Sequence, residues 1–235
     1  MATNLLPTRE PAYVSEPQAP RSVNALRDVW HGQDVYVLAS GASLGYVPMS
    51  FWRGRRTIGV NQVPAHAQCD VVVATHHEDV RDAVARVARG EAERLVAPET
   101  DCGLMGRENL LPDWVYRFEH YPHVHDGHLD LDVLEKPGWL LLCSLTTVTA
   151  INLAYVMGAR AIVLCGHDEG RIDGQINVPG YNGGNGTKAS HLCMTHHLLQ
   201  SLADAIRQRG VSVVSLNPWV NFGLEGHVYE RIPPV

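Results

Sequence analysis

The chain has 235 residues, of which 45% are hydrophobic and 19% are charged, and this is ordinary for a globular protein with one sizeable core. Its formal net charge of −6 gives no sign of a general nucleic-acid-binding surface. No apolar run reaches the roughly 18 residues that a membrane span needs, so no membrane-spanning segment is expected. The five cysteines contain no C-x-x-C pair and no signal-peptide pattern precedes them, so we expect reduced thiols in a cytoplasmic protein.

The first 20 residues are rich in proline and polar residues. This composition is typical of a segment that does not build a packed core. We therefore expect residues 1–20 to form a flexible N-terminal arm and residues 21–235 to form one domain.

Short apolar runs then alternate with helical patterns. Strands are predicted over 34–39, 56–60, 69–75, 95–98, 161–166 and 211–216. Helices are predicted over 78–95, over 146–158 with Gly158 as the C-cap, and over 191–210. Residues 99–138 are expected to be irregular, and residues 167–190 to form a glycine-rich loop.

Apolar strands separated by helices predict an α/β fold, namely a single Rossmann-like domain with a mainly parallel sheet flanked by helices. Ligands bind such sheets outside the carboxyl ends of the strands. A glycine there lets the backbone approach a ligand, hydroxyl and amide groups bind phosphates and sugars, and a helix N-terminus attracts anions. Candidate ligand-binding residues at these positions are Ser40, Gly41, Ser43, Asn61, Gln62, Thr146, Thr147 and Asp168.

Each of these candidates also has a structural interpretation. The segment 40–44 suits a plain strand-to-helix turn, and Asn61 or the threonines suit helix caps. Asp168 at a strand end suits a ribose, a metal or a neighbouring loop. In the segment His76–Asp79, one histidine is expected to face the cleft, whereas Glu78 and Asp79 suit caps of the following helix.

The order of six segments resembles the bacterial sialyltransferases of glycosyltransferase family 42 and related phage and bacterial proteins. The segments are VYVLASGASL, IGVNQV, CDVVVATHHE, SLTTVTAINLAYVMGARAIVLCGHD, a histidine-bearing loop and VSVVSLNP. The resemblance implies that residues 21–235 form a nucleotide-sugar-binding catalytic domain. It further implies a CMP-activated sugar donor, no required metal or other cofactor, inversion at the anomeric carbon, and a histidine as general base.

The resemblance extends to short motifs. Residues 40–44 correspond to the family's N-G-P-S-L loop, 60–62 to its C-N-Q, 145–147 to its T-S-G and 166–168 to its G-x-D. Gly170 stands where the family places a tyrosine that holds the leaving phosphate, and Tyr181 is the candidate to replace it. These departures leave the donor's nucleotide and sugar open.

His191 is the candidate general base, because it opens the last predicted helix directly after the glycine-rich loop. A helix N-terminus disfavours a charged imidazolium, so the ring remains able to accept a proton. The resemblance also places the family's base nearest to His191. A surface histidine in a first helical turn is the alternative, and His196 and His197 are the reserves.

A histidine-rich stretch raises the question of a metal. The spacing of His120, His123, His125 and His128 would suit zinc, and Asp130 with Asp132 imitates the D-x-D of metal-dependent glycosyltransferases. The aspartates follow a polar loop and not an apolar strand, so we expect a polar loop without a metal.

Three functions therefore remain open. A metal-independent glycosyltransferase is favoured over a Mg²⁺-dependent diphosphokinase-like enzyme and over a non-catalytic nucleotide-binding or assembly protein. The hydroxyl acceptor is a glycan, a small metabolite or a hydroxylated DNA base, and the acidic net charge does not favour DNA. Homo-oligomerisation is left open.

Overall fold

The computed structural model describes residues 19–99, 111–120, 124–125, 128–143, 145–168, 170–181, 189–216 and 229–231. At 124–125, 128, 189–196 and 229–231 it describes the backbone alone. Most of the predicted N-terminal arm, residues 1–18, lies outside the described residues.

The described residues form three helices and twelve strands. The helices are α1 (His77–Ala88), α2 (Thr146–Val156) and α3 (Ala189–Gln208). The strands are β1 (Arg21–Ser22), β2 (Asp34–Leu38), β3 (Arg56–Val60), β4 (Cys69–Val73), β5 (Ala92–Pro98), β6 (Tyr116–Phe118), β7 (Val124–His125), β8 (His128–Leu129), β9 (Ala161–Cys165), β10 (Gly170–Ile172), β11 (Ser212–Leu216) and β12 (Tyr229–Arg231).

Eight strands form one sheet in the order β1-β6-β5-β4-β3-β2-β9-β11, and every neighbouring pair is parallel. Short antiparallel pairs join β7 to β8 and β10 to β12. The predicted α/β fold with a mainly parallel sheet and flanking helices is confirmed. The chain builds β3 to β6 on one side of β2 and β9 and β11 on the other, so the strand order reverses at β2. Crevices for ligands form at such a reversal.

The central strands and α2 make up the core. Strands β2, β3, β4 and β9 are almost wholly apolar and buried, which suits a parallel sheet covered on both faces. Helix α2 buries ten of its eleven residues and packs on β2, β3, β4, β9 and α3. Its buried Asn152 accepts a hydrogen bond from the Leu141 amide (2.8 Å), and Thr149 donates one to the Leu141 carbonyl (2.7 Å). These bonds fix the segment that precedes α2 and thereby the helix N-terminus.

The first predicted helix is too long at its C-terminal end. It ends at Ala88 and the next strand begins at Ala92, whereas a helix to 95 and a strand from 95 were predicted. Gly90 has φ +78, which terminates the helix, and parallel pairing of Ala92 with Cys69 extends the strand. The helical propensity of residues 91–94 is thus overridden by sheet pairing.

Four short strands also arise where irregular structure was expected. Inside residues 99–138, strand β6 pairs with β5 and β7 pairs with β8, and inside the predicted loop 167–190, β10 pairs with β12. Each has two or three residues, which is too short for an alternating pattern to be recognised. The other helix ends agree closely: Gly158 has φ +83 just after α2, and α3 spans 189–208 against a predicted 191–210.

Three of the five cysteines have a described side chain, and all three are free: Cys69, Cys143 and Cys165. Burial raises the pKa of the Cys165 thiol to about 12, so it is an inert core side chain. Over the same part of the chain, no helix combines the length and the apolar character that crossing a bilayer requires.

Candidate functional site

The loops that follow β2 and β9 are locked to each other by hydrogen bonds. The Gly41 amide donates to the Gly166 carbonyl (2.7 Å), and the Ser43 amide donates to one Asp168 carboxylate oxygen (2.8 Å). The Ser43 hydroxyl donates to the other carboxylate oxygen. Ser43 and Asp168 are 6% and 5% exposed. We call these four residues the β2–β9 interlock.

The interlock explains why residue 41 is a glycine. A Cβ atom at this position would lie 2.4 Å from the Gly166 carbonyl oxygen and 2.7 Å from an Asp168 carboxylate oxygen. The close approach that Gly41 permits is therefore made to the loop after β9. Asp168, for which a ribose, a metal or a loop was considered, holds the loop after β2 through Ser43. Burial raises the pKa of its carboxyl, although the hydrogen bonds from Ser43 oppose the shift.

On the β3 side of β2, polar side chains from four segments converge. Burial raises the pKa of Tyr181, and hydrogen-bonding groups of Ser40 and Asn61 beside its hydroxyl oppose the shift. The Gln62 side chain likewise opposes the rise that burial causes in the pKa of Asp79, whose charge acts on Tyr181. All five side chains are partly exposed. We call them the edge cluster, since they lie at the carboxyl edge of the sheet.

The backbone of residues 176–178 brings Tyr181 into the edge cluster. The Ala42 amide donates to the Ile176 carbonyl (3.1 Å), and the Val178 amide donates to the Ser40 carbonyl (2.8 Å). The Ser40 hydroxyl also donates to the Asn177 side-chain oxygen (3.1 Å). This segment runs antiparallel to residues 40–42, so Tyr181 reaches strand ends that lie more than a hundred residues earlier in the sequence.

Asn61 is unusual in backbone and side chain alike. Its φ of 50° lies in the left-handed region, and its amide donates to the Val73 carbonyl (2.9 Å). Its side-chain oxygen is buried and accepts no hydrogen bond from any described residue. An unsatisfied buried acceptor costs about 1–3 kcal/mol, so the position is one where a ligand donor or water would be stabilising.

Asp79 and Tyr181 both have shifted pKa values. Burial raises the pKa of Asp79, while the charge of His76 and the hydrogen bond from Gln62 oppose the shift. Burial, and then the charge of Asp79, raise the pKa of Tyr181, so its hydroxyl remains a donor.

The centre of the His66 ring is 6.3 Å from the centre of the Tyr181 ring. Burial, and then the charge of Arg86, lower the pKa of His66. Sequence reasoning missed the roles of His66 and Asn177 in this site. It assigned Asp79 only to a helix cap.

The N-terminus of α2 points towards the same edge of the sheet. The Thr146 hydroxyl is 2.9 Å from the Thr75 hydroxyl, which follows β4, and Thr147 is buried beside it. The N-cap residue, Leu145, offers the first turn no side-chain hydrogen bond. The positive end of the helix dipole therefore faces the edge without a side-chain cap from Leu145, a suitable arrangement for an anion.

The predicted base lies where only the backbone is described. Helix α3 begins at Ala189, so His191 occupies its first turn. The side chains of His191 and His196 lie outside the described residues, and His197 is exposed. Helix α3 packs on α2 and on β11.

The D-x-D-like pair has a local structural role. An Asp130 carboxylate oxygen accepts a hydrogen bond from the Asp132 amide (3.1 Å) and thereby caps the 3₁₀ turn at 131–135. Within the described ranges, no three His, Cys, Asp or Glu side chains are grouped so as to hold a metal ion. His123 and the side chains of His125 and His128 lie outside those ranges.

Comparisons with known proteins give a distant likeness in fold. No family model and no curated protein matches the chain. Over 80% of its length it is similar to the sialyltransferase CstII from Campylobacter jejuni in complex with cytidine-5'-monophosphate (82% of that chain, 14% identity, TM-score 0.46). Over 86% it is similar to the same enzyme in complex with CMP-3FNeuAc (86% of that chain, 13% identity, TM-score 0.48). Both TM-scores are below 0.5.

Proposed function

We propose that this protein is a glycosyltransferase that moves a sugar from a nucleotide-sugar donor to a hydroxyl-bearing acceptor. The edge cluster carries the proposal. Hydroxyl, amide and carboxylate groups from separate segments meet beside the reversal of strand order, and the Asn61 side-chain oxygen has no donor among the described residues. Ribose and sugar hydroxyls are the donors that such a cluster of acceptors requires.

The donor would lie along the carboxyl edge. Its phosphate would approach the N-terminus of α2 at Thr146 and Thr147, and its hydroxyls would face the edge cluster. Gly41, Ser43 and Asp168 would form the wall of the donor site, since the interlock occupies their polar groups. A CMP-linked sugar is the donor that the sequence resemblance favours. The cytoplasmic location remains a prediction, and homo-oligomerisation remains open.

The proposed chemistry is an inverting displacement without a metal. The acceptor oxygen attacks the anomeric carbon, the bond from that carbon to the phosphate oxygen breaks, and the acceptor proton passes to His191. Burial, and then the charge of Asp79, raise the pKa of Tyr181, and its hydroxyl would donate a hydrogen bond to the leaving phosphate, the role that the sequence resemblance suggests for it. A positioned base typically contributes roughly 10²–10⁴-fold to the rate.

Nucleotide binding is the first test. Melting temperatures with CMP-, UDP-, GDP- and dTDP-sugars, with and without Mg²⁺, should rise for at least one donor without metal, because a ligand that binds the native state stabilises it by mass action. A shift that requires both Mg²⁺ and a nucleoside triphosphate would favour the diphosphokinase alternative. Binding without transfer to any acceptor would favour the non-catalytic one.

Turnover is the second test. His191→Ala should lower the turnover rate by about 10²–10⁴-fold and leave donor affinity nearly unchanged. His197→Ala is the matched control, because His197 is exposed further along the same helix. Loss of turnover in EDTA with recovery in Mn²⁺ would contradict the metal-free mechanism and point to Asp130 and Asp132.

A further inference from the structure

The side chains of Ser40 and Asn177 form a hydrogen-bonded pair at the carboxyl end of β2. The Ser40 hydroxyl donates to the Asn177 side-chain oxygen at 3.1 Å. Because that bond uses the only proton of the hydroxyl, Ser40 can offer a ligand its lone pairs but no donor. The Asn177 amide nitrogen carries two N–H groups and can only donate. We call these two residues the Ser40–Asn177 pair, which sets a hydrogen-bond acceptor beside a donor.

Backbone hydrogen bonds hold the pair in place. Asn177 lies opposite Gly41 in an antiparallel bridge, with backbone bonds of 3.1 and 2.8 Å on either side of it. The chain arrives there from β10 through a tight hairpin turn, in which Ile172 and Gln175 exchange two backbone bonds (3.0 and 2.9 Å). Both residues of the turn, 173–174, have positive φ (50° and 76°), as the commonest two-residue hairpins require. The backbone therefore fixes the pair before any ligand binds.

A purely structural role explains the pair incompletely. The backbone bonds already join the two segments, and both side chains of the pair are partly exposed. In the neighbouring interlock, by contrast, Ser43 and Asp168 are only 6% and 5% exposed. The pair is thus accessible beside β2, the strand at which the strand order reverses and where ligands bind in sheets of this kind.

The chemistry of the pair suits a ligand group that both donates and accepts hydrogen bonds. A phosphate oxygen could accept from Asn177 but has no proton for Ser40. Two hydroxyls on adjacent carbon atoms satisfy both residues, since one donates to the Ser40 oxygen while the other accepts from the Asn177 nitrogen. A vicinal diol is therefore the group that fits the pair.

We propose that the Ser40–Asn177 pair binds a vicinal diol of the nucleotide sugar and that Asn177 is a ligand-binding residue of the site. This inference rests on the proposed function, because the donor substrate supplies the diol. Two parts of such a donor carry vicinal diols, namely the ribose of the nucleotide and the transferred sugar. The hydrogen-bonding chemistry is the same for both, so the experiment has one arm for each.

Calorimetric titrations with ligands that lack one hydroxyl locate the diol. CMP, UDP, GDP and dTDP are titrated first, and the ribose arm compares the tightest ribonucleotide with its 2′-deoxy form. The sugar arm compares the matching nucleotide sugar with analogues from which single sugar hydroxyls have been removed; for dTDP, which has no ribose diol, only this arm applies. We expect at least one arm to show a loss of about 10-fold in affinity, because the missing hydroxyl leaves a protein group without its partner.

Variants assign the lost affinity to the pair. In Asn177→Ala and in Ser40→Ala, the complete ligand should bind about 10-fold more weakly, while the ligand without the hydroxyl should bind almost as it does to wild type. The preference for the complete ligand should therefore fall to within about 3-fold. Gln175→Ala is the matched control, because it removes an exposed side-chain amide from the same hairpin and should leave the preference intact. Melting curves verify that all three variants are folded.

The outcomes separate this inference from the proposed function. If a nucleotide sugar binds but no missing hydroxyl lowers its affinity, or if the preference survives in both Asn177→Ala and Ser40→Ala, the inference is overturned and the proposed function stands. If the two variants weaken the complete and the hydroxyl-deficient ligands equally, the pair binds a different group, such as the phosphate, and the inference is again overturned. If no nucleotide or nucleotide sugar binds, the proposed function fails and the inference fails with it.

Discussion

The β2–β9 interlock and the edge cluster lie side by side at the carboxyl end of β2, yet their polar groups are used differently. In the interlock, both carboxylate oxygens of Asp168 accept hydrogen bonds from Ser43, and Gly41 contacts Gly166 closely. In the edge cluster, the side chains are partly exposed and Asn61 keeps a buried oxygen without a donor among the described residues. A position at a strand end therefore predicts where a residue lies. Whether its polar groups already have hydrogen-bond partners in the protein indicates whether it holds a loop or is available to bind a ligand.

The largest stability effect is expected at Gly41. Gly41→Ala should lower the free energy of unfolding by about 3 kcal/mol, because the added Cβ meets a backbone carbonyl and a buried carboxylate, and neither can move aside cheaply. Urea denaturation measures the change. Gly45→Ala is the control, since its Cβ would meet the Val178 side chain at 3.3 Å and the Pro179 ring at 3.6 Å and no backbone carbonyl or carboxylate. A stable Gly41→Ala protein would mean that the interlock opens readily and that Gly41 is available to a ligand.

Removing the carboxylate of the interlock should have the next largest effect. Asp168→Ala leaves the Ser43 amide and hydroxyl buried without their acceptor, which should cost about 2 kcal/mol of stability. The double variant with Ser43→Ala should lose less than the sum of the two single variants, since the hydroxyl is then absent. Additive losses would contradict the interlock.

The sequence predicted the central strands of the sheet well, but it predicted the start of β5 and the short strands β6 and β10 poorly. Apolar runs such as 34–39 and 161–166 have the length of buried strands, and their alternation with helices predicts a parallel sheet. The start of β5 at Ala92 and the existence of β6 depend on pairing with a neighbouring strand, which no local pattern encodes. The same holds for β10, which forms only because β12 lies against it.

The sequence predicted which residues lie near one another in the candidate site, but not what each of them does. Strand ends identified Ser40, Asn61 and Gln62, and the family resemblance added Tyr181, which the structure brings to Ser40 and Asn61. The division between interlock and edge cluster was not predictable, because it depends on contacts such as Ser43 with Asp168 across 125 residues. Asp79 was assigned to a cap because its partner, Gln62, belongs to another loop.

Variants of Asn61 test whether the edge cluster binds a ligand. Asn61→Gly should weaken nucleotide binding by about 10-fold and change stability little, because glycine adopts a φ of 50° readily. Asn61→Ala should lose the same affinity and in addition about 1 kcal/mol of stability, since alanine is strained in the left-handed region. Calorimetric titration and melting curves separate the two effects. An unchanged affinity in Asn61→Gly would remove Asn61 from the site.

The smallest expected effect is a pH-dependent gain in stability from Asp79→Asn. Burial raises the pKa of Asp79 above its value in the unfolded chain, so the folded protein carries a free-energy penalty wherever the carboxyl is ionised. That penalty is present at neutral pH and is relieved as the pH falls through the folded-state pKa towards the unfolded one. The variant has no carboxyl to ionise, so it should be more stable than wild type at pH 7. For a half-exposed group the gain in unfolding free energy should be less than about 1 kcal/mol, and it should vanish near pH 3.

Urea denaturation across this pH range measures the difference in stability, with Glu78→Gln as the charge-matched control. If Asp79→Asn is instead less stable at pH 7, Asp79 stabilises the fold, and the contrast between a cluster kept for ligands and an interlock kept for stability breaks down at this residue.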